Sequence, residues 1–258
     1  MAAILEIKNV VKKFITEKKE VLAVDNVSFE VKNNEFLSIV GPSGCGKSTL
    51  LRMIAGLEKP TSGEMFIEGK KIEKPGAERS MVFQQYTLLP WRTVLENVGF
   101  GLEIKGVPKA ERNEISKKFI RMIGLEGFED AYPYELSGGM QQRVAIARTL
   151  ANDPKIVLMD EPFGALDAQT RTILQNELLK IWEKDKKTVV FITHSVEEAV
   201  YLSDRVIIMT ARPGRVKDIV DINLDRPRKR SSMEFIEYKK EIVDKLKDEV
   251  LKSYTYKV

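Results

Sequence analysis

The sequence has one cysteine, one histidine, two tryptophans and a net charge of only +4. A lone thiol, Cys45, excludes an internal disulfide and favours a reducing compartment. The charge is too small to argue for nucleic acid, and no such partner is expected. Nowhere do about 18 apolar residues run together, the length a membrane span needs. The first residues, Met1-Ala-Ala-Ile-Leu-Glu-Ile-Lys-Asn9, break their apolar positions with charge and do not read as a leader. Internal repeats and low-complexity tracts are also missing. What remains is an ordinary soluble composition, 43% hydrophobic and 31% charged, over 258 residues. That is room for one large α/β domain or two small ones, with a core that needs no covalent staples.

The chain is organised around Gly41-Pro42-Ser43-Gly44-Cys45-Gly46-Lys47-Ser48-Thr49. From Gly41 to Ser48 this fits G-x-x-x-x-G-K-[ST], the phosphate-loop pattern. The context fits as well: Glu35 to Val40 is a short apolar run of buried-strand type, and Leu50, Leu51, Ile54 and Leu57 then repeat at helical spacing, with Gly56 near the end. A loop joining a strand to a helix N-terminus presents free backbone N–H groups and the positive end of the helix dipole. Its glycines let the backbone curl around phosphate oxygens. Lys47 is then placed to reach the β- and γ-phosphates of a nucleotide, and the Ser48 hydroxyl to ligate Mg²⁺.

Before this loop, Ile4 to Val11 alternates as a half-buried strand, Glu17 to Glu20 reads as a hairpin tip, and Val21 to Val31 gives more strand with a turn signal at Asp25-Asn26. Phe14 presents a flat ring suited to a purine base; a strand-end core position is the equal alternative. After it, Met81 to Gln84 reads as a buried strand, and Val94 to about Leu125 as mostly helical, with Ile115, Phe119, Ile120 and Ile123 on the buried face. Pro108 falls near the start of the longest piece, where its missing N–H costs little. Leu136-Ser-Gly-Gly-Met140 reads as a glycine turn opening a helix over 141–151, a second potential anion site. Ile156 to Asp160, followed by Glu161 and Pro162, describes a central strand that presents two acids at its carboxyl end, where ligands bind in open α/β sheets. Thr188 to His194 repeats that form, Glu197 to Ala199 begin a helix, and Val206 to Met209 reads as a last core strand. Residues 226–258 form a basic linker, Arg226-Pro-Arg-Lys-Arg230, and an amphipathic helix with Ile236, Val243, Leu246 and Val250 on one face. That helix either packs on its own domain or docks a partner.

The ordered set of phosphate loop, Gln84, Leu136-Ser-Gly-Gly139, Ile156 to Glu161, Gly164 to Asp167 and His194 resembles the ATP-binding subunits of ABC transporters over residues 4 to about 225. In that family these are the Walker A, Q-loop, signature, Walker B, D-loop and switch-histidine motifs. The resemblance implies a P-loop NTPase α/β core with an N-terminal antiparallel β subdomain and an inserted helical subdomain at about 88–155, within an ATP-binding domain of residues 1–225. It implies that Gly41, Pro42, Ser43, Gly44, Cys45, Gly46, Lys47, Ser48 and Thr49 bind ATP, that Phe14 stacks on adenine, and that Ser48, Gln84 and Asp160 serve Mg²⁺. Glu161 is implied as general base, His194 as γ-phosphate contact and water orienter, and Gln84 as link to a membrane partner. Ser137, Gly138 and Gly139 are implied to close on the nucleotide of a second copy, giving an ATP-sandwiched homodimer with Asp167 at its seam. Met140 departs from the pattern, which usually has glutamine there.

The run from Phe83-Gln84 to Leu88-Leu89-Pro90-Trp91, together with Thr210 to Arg215 and Arg226 to Arg228, is similar to the nitrate/sulfonate/taurine importer group. That likeness implies two permease subunits, indirectly a solute-binding protein, and a peripheral position on the cytoplasmic face of the membrane. Tyr86, Leu88, Leu89 and Trp91 then either receive a permease helix or pack internally. The competing function is a single-cassette ATPase of a non-import membrane complex, in cell division or lipoprotein release.

Overall fold

The structure, a computed structural model, describes residues 3–15, 20–85, 87–164 and 166–255. In chain order the elements are β1 (Ala3–Ile15), β2 (Glu20–Lys32), β3 (Phe36–Val40), α1 (Lys47–Ala55), β4 (Ser62–Ile67), β5 (Lys70–Lys71) and β6 (Arg79–Val82). Then come α2 (Val94–Ile104), α3 (Lys109–Met122), a 3₁₀ turn at Pro133–Glu135, α4 (Gly138–Ala151), β7 (Ile156–Asp160) and α5 (Ala168–Asp185). The chain ends with β8 (Thr188–Ile192), α6 (Val196–Leu202), β9 (Arg205–Met209), β10 (Val216–Asp221) and α7 (Met233–Thr255). They fall into two compact units, Met1–Gly76 with Lys187–Val258, and Ala77–Lys186.

The first unit holds an antiparallel sheet in the order β2-β1-β4-β5. It also holds β3 between β8 and β9, parallel to both, with β10 antiparallel on β9. β3 and β8 are buried at every residue, as strands covered on both faces must be, so they read as unbroken apolar runs. Pairing Ile39 with Ile192 brings the two carboxyl ends side by side. The loop at Gly41 and the segment Thr193-His194 therefore leave the same edge. In the second unit β6 and β7 are parallel, and α2, α3 and α4 pack on one another.

Several expectations shift. The supposed turn at Asp25-Asn26 is absent: β2 runs through it, with Asn26 at φ 49° opposite Asn9 at φ 50°. Asn9 Nδ2 donates to Asn26 Oδ1 at 2.9 Å, and asparagine takes this left-handed backbone at low cost, so the signal marks a register irregularity rather than a reversal. The hairpin tip expected at Glu17 to Glu20 lies outside the described residues, except Glu20, which begins β2. β6 begins and ends earlier than Met81–Gln84, and β10 follows the strand read as last. Helix α3 buries Ser116 and Ile120, while Ile115 and Phe119 are half-buried. Helix α7 buries Phe235, Ile242, Leu246 and Glu249 and exposes Ile236, Val243 and Val250. Leu246 is buried as expected, but the rest of the inner stripe lies one residue earlier, or ~100° round the helix, and one of its members is a carboxylate, invisible to an apolar pattern.

Candidate functional site

The phosphate loop leaves the buried end of β3 and enters α1 through Gly46, at φ 106°. No side chain caps this helix and its first turn has no acid, the setting in which a helix start receives an anion. Gly44 also lies in the left-handed region, at φ 74°. A Cβ on Gly46 would stand 2.6 Å from the Ala23 carbonyl oxygen, so only glycine lets the loop sit against β2. Lys47 is buried and folds back over the loop, its Nζ donating to the carbonyls of Gly41 at 2.8 Å and Pro42 at 2.9 Å. Cys45 faces inward; burial raises its thiol pKa, and the nearby Lys47 ammonium only partly offsets that. Ser43 and Gly44 are exposed, Ser48 and Thr49 half-buried.

Beside the loop lies a cleft of about 220 Å³, lined by Gly41, Pro42, Ser43, exposed His194, and Leu246, Val250 and Ser253 of α7. The end of β8 that delivers His194 is fixed locally. Thr193 Oγ1 donates to Glu198 Oε2 at 2.5 Å and accepts from Ser195 N at 3.0 Å, while Ser195 caps α6. Phe14 keeps 37% of its surface exposed near the end of β1, and the Lys12 ammonium lies 4.9 Å from its ring centre.

In the second unit, β7 ends at buried Asp160 and is followed by Glu161, whose φ of 47° is unusual for a side-chain-bearing residue. Gln84 Nε2 donates to Glu161 Oε2 at 3.3 Å, so these two predicted residues meet directly. Gln142 Nε2 donates to the Pro162 carbonyl at 2.8 Å and holds the next turn, a role with no motif signal. The Leu136-Ser-Gly-Gly139 stretch is not a turn ahead of a helix. Gly138 already starts α4, and Ser137 is its cap, accepting from Met140 N at 3.3 Å. Met140 thus contributes its backbone N–H to the cap. Asp167 caps α5 through Gln169 N at 3.1 Å and Thr170 N at 3.0 Å, and the Thr170 N–H is the first reason its pKa is lowered.

The segment after Gln84 borders an open groove of about 490 Å³ lined by Gln84, Gln85, Thr87, Leu88, Pro90, Pro133 and Gln141. Buried Asn97 ties its rim: Oδ1 accepts from Leu89 N at 2.9 Å, and Nδ2 donates to the carbonyls of Leu89, Arg92 and Thr93. Trp91 is 71% exposed, and Tyr86 lies outside the described residues.

Known proteins resemble this chain over most of its length. Residues 24–164 match the ABC transporter family model. An uncharacterized ABC transporter ATP-binding protein of Methanocaldococcus jannaschii is 70% identical over 249 residues, 96% of this chain and 93% of that protein. An aliphatic sulfonates import ATP-binding protein of Bacillus cereus is 45% identical over 239 residues, covering 93% of this chain and 94% of its own. A dimeric cassette solved in a post-hydrolysis state with ADP and phosphate superposes with a TM-score of 0.79 at 38% identity, over 86% of this chain and all of that one. The chain belongs to the ABC transporter family, with the ABC ATPase fold, as an ATP-binding subunit that hydrolyses ATP in support of transport.

Proposed function

We propose that this chain powers an importer of small sulfonate-, nitrate- or taurine-like solutes through a separate permease, working as a homodimer that closes around ATP and parts on hydrolysis. The observation that carries the reading is the phosphate loop, with Lys47 folded over it and an uncapped helix start behind it. The import role and the solute class draw on the aliphatic sulfonate relative, and the paired state on the dimeric cassette.

On this reading the amides from Gly41 to Thr49 and the Lys47 ammonium hold the phosphates, and Phe14 stacks on adenine. Glu161 takes a proton from the attacking water, with Gln84 holding its carboxylate, and His194 orients that water toward the γ-phosphate. Ser137, Gly138 and Gly139 of one copy face the nucleotide held by the other, with Asp167 at the seam. The hydroxyl of Ser48, the carboxylate of Asp160 and the amide oxygen of Gln84 are hard oxygen donors of the kind that hold Mg²⁺ together with substrate phosphates. Mg²⁺, when bound, supplies charge neutralisation at the phosphates. The chain's contribution is positioning and electrostatics rather than covalent catalysis. The groove beside Gln84, with exposed Trp91 nearby, is the surface offered to a permease helix. A solute-binding protein is then reached only through the permease, and the subunit sits at the cytoplasmic face of the membrane.

The test is Glu161→Gln. It should keep ATP binding, form an ATP-dependent dimer by light scattering, and lose roughly a hundredfold or more in turnover. Hydrolysis at the parent rate removes Glu161 as base, and a variant that stays single with Mg·ATP removes the paired mechanism.

A further inference from the structure

The segment Thr210-Ala211-Arg212-Pro213-Gly214-Arg215 between β9 and β10 lies against the phosphate loop. Arg212 donates from Nε at 3.1 Å and from Nη2 at 3.0 Å to one acceptor, the Gly44 carbonyl oxygen. Gly214 passes under the same loop, and a Cβ there would run into the Cys45 carbonyl oxygen. We infer that Arg212 is a positioning residue of the phosphate loop, and that the C-terminal helix α7 holds Arg212 in place.

The carbonyl of Gly44 and the N–H of Cys45 belong to one planar trans peptide and point in opposite directions. Gly44 has a left-handed backbone and no Cβ, and within the loop the peptide is held by a long bond from Cys45 N to Pro42 O at 3.4 Å, a weak restraint on its rotation. Two donors from a rigid guanidinium on the carbonyl select one orientation, and with it the direction of the Cys45 amide within the anion-binding loop. The cation also polarises the peptide, making its N–H a stronger donor.

Arg212 is itself held. Thr210 Oγ1 donates to Pro213 O at 2.8 Å and accepts from Arg215 N at 3.0 Å. Gly214 N donates to Ala23 O at 3.0 Å, and Asp25 N donates to Gly214 O at 2.9 Å, which fastens the segment to β2. The residue just before Arg212 is fixed from α7: Ala211 N donates to Glu249 Oε2 at 2.9 Å. Glu249 is buried, and Lys217 Nζ and Lys252 Nζ each lie 3.0 Å from its other oxygen. A contact path therefore runs from α7 through Glu249, Ala211 and Arg212 to the amides of the loop.

This inference rests on residues 41–49 being the phosphate site, so Lys47→Ala is the control. If Lys47→Ala binds ATP like the parent, the site assignment fails whatever Arg212 does. With that control behaving as expected, Arg212→Ala should raise KM for ATP about tenfold, the loss of one good charged hydrogen bond, with kcat within about twofold. Arg212→Lys keeps one donor and should recover part of that loss. Cys45, the chain's only thiol, reports on the loop directly. In nucleotide-free Arg212→Ala it should react with an aromatic disulfide reagent several times faster than in the parent. The melting temperature should move by no more than about 2–4 °C, the shift of a kcal/mol-scale surface change. Unchanged KM together with unchanged thiol reactivity overturns the inference. So does a fall in melting temperature large enough to account for the loss by unfolding.

Discussion

Glu249→Gln tests the anchor of α7 quantitatively. Burial pushes the Glu249 carboxyl upward, but the Ala211 N–H and the Lys252 and Lys217 ammoniums outweigh it and bring its pKa from 4.5 to about 2. At 1.36 kcal/mol per unit the ionised form contributes about 3 kcal/mol to the folded state. The side chain is only 4% exposed, so little of this is screened by solvent. Glutamine keeps an oxygen for Ala211 N and the volume of the side chain, so the loss isolates the charge. At pH 7 the variant should melt about 5–10 °C below the parent, given the shift per kcal/mol for a chain of this size. The sign follows from the depressed folded pKa. The stabilisation is fully present above pH 4.5 and is lost as pH falls toward 2, so by pH 3 more than half of the gap between parent and variant should be gone. Scanning calorimetry of both proteins at pH 7, 5, 4 and 3 measures this. A gap below about 1 kcal/mol at pH 7, or one that does not narrow between pH 5 and pH 3, refutes the assignment of Glu249 as a charged anchor.

Two further outcomes follow from the loop. Alkylation of Cys45 should be slow, because burial raises its thiol pKa, and ATPase activity should fall in proportion to labelling, with bound nucleotide protecting; full activity after stoichiometric labelling contradicts its place in the loop. Gly46→Ala forces a Cβ toward the Ala23 carbonyl at a φ of 106°, so ATP binding measured by calorimetry should be lost at a stability cost of about 1–3 kcal/mol, and parent-like affinity contradicts the loop geometry.

The parts of this fold legible in the sequence are those whose physics is local. A phosphate loop must follow a strand and open a helix, and its glycines, Lys47 and Ser48 announce themselves over nine residues. The buried parallel strands β3, β7 and β8 appear as short apolar runs because both faces are covered. Elsewhere a polar residue makes a contact that periodicity does not count. Asn9 and Asn26 absorb a left-handed backbone inside paired strands, so a turn signal produced no turn. Gly138 and Gly139 look like a break, yet Ser137 caps them into the first turn of α4. In α7 the buried face takes in Glu249 and leaves Ile236, Val243 and Val250 outside.

The contacts around Arg212 were illegible for a different reason. Arg212 and Gly44 are 168 residues apart, Arg215 and Asp25 are 190 apart, and nothing local in either partner specifies the other. The glycine and proline of 210–215 signal only that the chain must turn. What the turn is for becomes visible once β3 and β9 lie side by side, since that pairing carries the ends of both strands, and hence both loops, to one edge. The same register makes Gly214 obligatory: any side chain there would displace the Cys45 carbonyl and with it the loop amides. A loop built from glycines for closeness to phosphate has surrendered the side chains that would stiffen it. Rigidity must then come from neighbours, and Arg212 and Gly214 are the neighbours that the parallel pairing of β3 with β9 provides.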